Sequence, residues 1–388
     1  MNRHTILGIV AEYDPFHNGH LYHLNKARKA VRPDAVYAVL SPVLKQRGEL
    51  AMLPPHIRAA CALHEGVDAV FSLPVLWTVR DAEHYALGAV SMLAGLGVTH
   101  IAFGAETADP AVLQSIADLL EDPPESMTRS LHTRLSEGLG YPAALCCAAS
   151  DIVPGAERIL QSPNNILAVC YLRALRRLRS GIVPVIIPRS GGYHDANVSA
   201  VSPSASSLRA ALSRGVYTPV FSAVPAYCAS MIRRCFLDRQ IPDLRIWNTL
   251  VADCLRTEDL SALPDLSEGL EHALKKAAVS FRGENIADRL ASRRYPAARI
   301  SRLCALAVLG VTQSRLDSLT LPGSALLLAI RKTVVPTDQW KDLPVRIYGS
   351  AAEWKSAADP EDIRSWSLRS ACCSQPDTLP FTEKVYTE

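Results

Sequence analysis

An apolar run meets a short turn carrying two histidines. Residues 6–10 read Ile-Leu-Gly-Ile-Val, and Ala11-Glu12-Tyr13 leads into Asp14-Pro15-Phe16-His17-Asn18-Gly19-His20. The run is short and rich in β-branched residues, which predicts a buried strand. Asp14-Pro15 breaks it. An amphipathic segment over 21–31 follows at once, so the turn lies between a strand and a helix. His17 and His20 sit three apart at the helix start, where the first backbone N–H groups point at the same spot. Such a spot suits phosphate. Gly19 has no side chain, so a ligand can approach its backbone closely.

The rhythm continues through the first half of the chain. Strands are predicted over 6–10, 35–40, 69–73, 100–103 and 183–187. Helices are predicted over 20–30, 55–65, 82–96, 164–179 and from 206 to 213, with a mainly helical stretch over 109–149. Alternating strands and helices predict an α/β fold with a parallel sheet and helices on both faces. Ligands of such sheets bind beyond the carboxyl ends of the strands. His17, Ser41, Pro74 and Gly104 all fall there. From about 216 the strand rhythm fades and helical pattern dominates to about 335, with a possible strand over 345–348. The expected division is a sheet domain over 1–215 and a mainly helical domain over 216–388.

Composition narrows the function classes. Hydrophobic residues make up 48% of 388, enough for sizeable cores, and the net charge is only +3. A nucleic-acid partner would have to bind a local patch. The ten cysteines show no CxxC spacing, so no metal site is predicted. With no signal peptide, they are expected to be reduced thiols in a cytoplasmic protein. No apolar stretch is long and uninterrupted enough to predict a membrane span.

The turn resembles the HxGH signature of nucleotidyltransferases with a Rossmann-like (HUP) fold. The longer stretch from Glu12 to Leu24 resembles the bacterial tRNA(Met) cytidine acetate ligase family. Further matches appear in family order: Gln46-Arg47-Gly48-Glu49, Leu73-Pro74, Ala82-Glu83, Gly88-Ala89-Val90, Phe103-Gly104, Ser162 to Leu167 and Tyr193-His194-Asp195. A weaker match continues at Arg293-Arg294-Tyr295, Arg299 and Arg302. The resemblance implies activation of acetate by ATP to acetyl-adenylate, then acetylation of N4 of the wobble cytidine of elongator tRNA(Met). Mg²⁺ would be expected to accompany the ATP.

The resemblance also implies site residues. His17 and His20 would be catalytic. Val10, Asp14, Pro15, Phe16, Gly19 and His23 would complete the ATP-binding stretch, joined by Gly104, Asn164 and Arg189. Ser206, Ser207 and Arg209 resemble the superfamily's serine-rich turn and would hold further phosphate oxygens. Lys45, Gln46 and Arg47 are candidates for acetate or phosphate. Arg289, Arg293, Arg294, Tyr295, Arg299 and Arg302 combine charge with an aromatic ring, as RNA contacts do. His194 is one candidate base for the amine proton. One stretch departs from the family: Ser41-Pro42-Val43-Leu44-Lys45 stands where Ser-Gly-Asn-Phe-Val is usual, and Pro296 replaces a usual Thr. Two other readings stay open at this point. One is a small-molecule adenylyltransferase of the nicotinate-mononucleotide or phosphopantetheine type. The other is a family member that binds ATP or tRNA without activating acetate.

Overall fold

Side-chain parity along one strand divides the interior in two. In β2 (Ala35–Leu40) every residue is buried. Val36, Ala38 and Leu40 join one apolar cluster, while Tyr37 and Val39 join the other. This is the period of two expected of a strand covered on both faces. The computed structural model describes residues 4–107, 109–189, 204–266, 269–335, 337–374 and 385–388.

The other strands are β1 (Ile6–Ala11), β3 (Ala69–Ser72), β4 (His100–Ala105), β5 (Val183–Pro188), β6 (Ser324–Ile330), β7 (Arg346–Tyr348) and β8 (Tyr386–Thr387). They form a sheet in the order β5-β4-β1-β2-β3-β6-β7, with β8 beside β6. The strands up to β5 pair in parallel, as the βα rhythm predicts. From β1 the chain moves to β2 on one side; β4 then returns to the other side of β1. That reversal opens a crevice at the carboxyl ends of β1 and β4, the topological switch point where ligands bind.

Helices α1 (Asn18–Val31), α2 (Pro55–His64), α3 (Ala82–Gly95), α4 (Pro163–Arg177) and α5 (Ala205–Ser213) lie close to their predicted bounds. The basic end of α4 serves packing. Arg173 and Arg177 pair with Glu83 and Glu121, and Arg176 pairs with Asp118 and Asp122.

The helical pattern expected to about 335 is interrupted. β6 pairs antiparallel with β3 and brings the chain back to the first sheet. Its residues 325–330 are all buried, so it lacks the polar alternation that would separate it from a core helix. Both α6 (Ala297–Leu309) and α7 (Pro360–Ala371) pack near the site loops. Gly48, at φ 79°, lies against the backbone of Ser301 and Arg302, and a Cβ there would come within 2.6 Å of it. Only glycine meets both demands. In α7, the buried Arg369 donates through Nη2 to the carbonyls of Met52 (3.1 Å) and Gln240 (2.8 Å). No helix among the described residues is long and apolar enough to cross a membrane.

Candidate active site

The two-histidine turn folds onto its own backbone. His17 is the N-cap of α1, and its Nδ1 accepts from the N–H of Gly19 at 3.1 Å. Nδ1 of His20 accepts from the N–H of His17 at 3.3 Å. A ring nitrogen that accepts carries no proton, so each neutral imidazole must hold its proton on Nε2. The rings stack with centroids 3.7 Å apart and planes at 21°. The capping box thus sets both tautomers and leaves two Nε2–H donors in one stack. Phe16 and Tyr13, both buried, form an aromatic floor against His20. Pro15 is buried beside them, and Val10 is half-buried in β1 opposite Val39.

The surroundings keep these rings neutral in the ligand-free chain. Burial pushes His17 down to about 3, and Arg189 and Arg209 add to it. Burial also drives His20 well below the ordinary range, helped by His17, Arg189 and His23. His23 is pushed down to about 4 by burial and by Arg189, against the pull of the Phe103 carbonyl. Arg189 is a shared cause for all three rings, so its charge lies within electrostatic reach of each.

Beneath the turn lies a buried charge cluster. Asp14 is fully buried and accepts from the N–H groups of Met52 and Leu53, each at 2.9 Å. Burial alone would raise its pKa; Lys45, Arg209, Arg58 and the Leu53 amide outweigh that and hold it below the usual value. Arg209, in α5, donates to the Asp14 carbonyl at 2.8 Å. Lys45 is an interior cation rather than a solvated one. It is 3% exposed, with Nζ 2.5 Å from Glu49 and 4.0 Å from Asp14. Gln46 donates its N–H to Glu12 (2.9 Å) and its side-chain amide to the Arg80 carbonyl (2.7 Å), while Arg47 is exposed. Ser204, not Ser206, caps α5, accepting the Ser207 N–H at 3.1 Å. Ser207 is buried and Ser206 is exposed beside it.

Across the switch point stand Gly104, Asn164 and Arg189. The stem of Arg189 lies over Gly104, where a Cβ would meet it at 3.1 Å. Asn164 is in the first turn of α4, but it does not cap the helix; its amide donates to Glu106. Its Oδ1 lies 3.5 Å from Nη1 of Arg189. The geometry therefore brings His17, His20, His23, Gly104, Asn164, Arg189 and Arg209 to one rim, from both ends of the first half of the chain. Tyr193, His194 and Asp195 lie outside the described residues.

Residues 4–334 match the model of the HIGH Nucleotidyl Transferase family. The chain is 34% identical to the tRNA(Met) cytidine acetate ligase of Lysinibacillus sphaericus over 98% of both chains. It is also 34% identical to the enzyme of that name from Acetivibrio thermocellus, over 81% of this chain and 79% of that one. The chain belongs to the tRNA(Met) cytidine acetate ligase family. Its structure matches Thermotoga maritima TmcAL, in the apo form, with a TM-score of 0.92 at 25% identity over 99% of both chains. It matches the same protein bound with alpha-thio ATP with a TM-score of 0.89 at 26% identity, also over 99% of each.

In this member of the ligase family the arginine group of the helical half divides. Arg289 is tied to the Ala277 and Ser280 carbonyls and to Glu284, and Arg299 pairs with Asp265 at 3.0 Å. Burial lowers the pKa of Arg302, which lies near Asp81 and Arg47 at the edge of the site. Arg293 and Arg294 are exposed, and Arg294 stands over the Tyr295 ring at 5.4 Å. Sequence reasoning missed Arg58 and Glu106. Arg58 left a weak signal, a charge inside the otherwise apolar run Ile57-Arg58-Ala59-Ala60-Cys61, which the solvent face of a helix would explain as readily as burial.

Proposed function

We propose that this chain activates acetate with ATP and acetylates N4 of the wobble cytidine of elongator tRNA(Met). The observation that carries the reading is the stacked pair of Nε2–H donors at the switch point. An acetate oxygen attacks the α-phosphorus, the bond to the β-phosphate breaks, and pyrophosphate leaves. Negative charge grows on the phosphoryl oxygens, and donors already fixed in place stabilise it without reorganising. Arg189 and Arg209 counter the charge from either side. In the second step the cytidine amine attacks the acetyl carbon, AMP leaves and the amine loses a proton.

Val10, Asp14, Pro15, Phe16, Gly19 and His23 shape the nucleotide surface, with Gly104 and Asn164 opposite and Ser206 and Ser207 at the phosphate end. The sheet part up to 215 carries this pocket. The helical part beyond it presents Arg293, Arg294 and Tyr295 to RNA, with Arg289, Arg299 and Arg302 behind them. Among the described residues no group of three or more His, Cys, Asp or Glu side chains is placed to hold a metal ion. Asp14 and Glu49 are committed to amides and cations. The described side chains offer no cage of their own for Mg²⁺, which would be expected to come with the ATP.

The test is a reaction of ATP, acetate and elongator tRNA(Met), followed by mass spectrometry of the nucleosides. N4-acetylcytidine at the wobble position is the expected product, and its absence at saturating enzyme overturns the reading. A second reading draws on Val43 and Lys45, an apolar and a charged residue buried beside the site. In it the chain binds ATP and tRNA without activating acetate. Acetate-dependent exchange of pyrophosphate into ATP separates the two.

A further inference from the structure

We infer that Glu106 is a positioning residue that locks the Asn164 amide with its carbonyl oxygen toward the nucleotide, selecting a base with an exocyclic amine. The inference rests on the ATP reading of this rim. Glu106 is held by a reciprocal box of hydrogen bonds. One carboxylate oxygen accepts from Nδ2 of Asn164, and the other accepts from the N–H of Asn165 at 3.0 Å. Asn165, buried, returns the contact: its Oδ1 accepts from the N–H groups of Glu106 (2.9 Å) and Thr107 (3.0 Å). Its own amide donates to Thr107 Oγ1 at 3.0 Å and to the Ile159 carbonyl at 3.2 Å. The carboxylate is therefore fixed at the end of β4.

A carboxylate accepts and does not donate, so it dictates which end of the Asn164 amide faces it. Oδ1 must point the other way, and it does, toward Arg189. At 3.5 Å that contact is long, and the oxygen keeps a lone pair for a ligand. Arg189 is the same side chain whose charge acts on the three histidines, so this oxygen belongs to the nucleotide rim. A ribose hydroxyl both donates and accepts and is indifferent to the amide's orientation. A locked acceptor discriminates only among groups that cannot do both. The N6 amine of adenine donates; the carbonyl that replaces it in inosine cannot.

The experiment measures equilibrium binding of ATP and ITP to the full chain, to Glu106→Gln and to Asn164→Ala. The wild type is expected to prefer ATP about tenfold, the weight of one neutral hydrogen bond. In Glu106→Gln the new amide keeps its oxygen on the Asn165 N–H and turns its NH2 toward Asn164. Asn164 then flips and offers a donor, so the preference falls to about one or reverses toward ITP. Asn164→Ala, which keeps Glu106, is expected to bind both alike. An unchanged ATP preference in either folded variant overturns the inference, as does a wild type that binds ATP and ITP equally well. A wild type that binds neither nucleotide marks instead the failure of the ATP reading, and the inference falls with it.

Discussion

The guanidinium of Arg58 donates through Nη2 to the carbonyl of Pro42. It also donates to the carbonyls of Leu53 (3.0 Å), Glu12 (2.6 Å) and Ser41 (2.9 Å), while itself fully buried. Burial pushes its pKa down to about 10, partly offset by Asp14, so it stays charged at neutral pH. The anchor takes carbonyls, which proline retains, so Pro42 keeps the loop's attachment although it lacks an N–H. Arg58→Met removes the donor from four carbonyls, three of them buried. The expected loss is about 3–5 kcal/mol in denaturant unfolding. Arg58→Lys is expected to recover only part of it, because an ammonium cannot span the same set of acceptors. Equal stability of Arg58→Met and wild type would remove Arg58 from this role.

Val43 bears on the departure from the family pattern. It is fully buried in the cluster that covers α2, and its carbonyl accepts from Ala51 at 2.8 Å. Restoring the family's Asn there puts an amide among apolar side chains. Val43→Asn is expected to cost about 1–3 kcal/mol, with Pro42→Gly adding several tenths through chain entropy. If the double change also raises acetate-dependent exchange, the departure had lowered activation. Unchanged exchange with the stability loss would show that the loop serves packing in this chain.

His20→Ala separates chemistry from capping. The substitution removes one acceptor for the His17 N–H and is expected to cost about 1 kcal/mol of stability. It also removes an Nε2–H donor from the proposed phosphate spot, for which a fall of about a hundredfold or more in pyrophosphate exchange is expected. His20→Asn supplies an acceptor at similar reach and should restore stability without restoring rate. A variant that is stable and fully active would refute the role of the ring.

What could be read from the sequence followed how local the signal is. β2 falls on its predicted residues because a continuous apolar run bounded by Pro33-Asp34 and Ser41-Pro42 has few other solutions. The turn at His17 was legible because strand, breaker, glycine and helix are consecutive. β6 was not, since a fully buried run has no period to betray it, and its partner β3 lies about 250 residues earlier. The Glu106–Asn165 box joins two polar residues 59 apart, each ordinary in its own neighbourhood, and the partners of Arg58 are backbone carbonyls that no side-chain pattern marks. Lys45 reads as a loop charge until Asp14 and Glu49 are seen around it.

The depressed histidines make stability depend on pH in a definite direction. His17 falls on folding from an ordinary value near 6.5 to about 3, and His23 to about 4, chiefly through burial. Below 6.5 the unfolded chain takes up protons that the folded chain refuses, so stability drops as pH falls. The full contribution is present above about 6.5 and is lost progressively down to about 3–4. The slope per histidine is at most about 1.4 kcal/mol per pH unit. Asp14, also depressed, acts in the same direction at lower pH. His17→Asn keeps an N-cap acceptor and removes one titrating ring. Its melting temperature is expected to fall less steeply than the wild type's between pH 6.5 and 4. Parallel curves would show that His17 titrates normally.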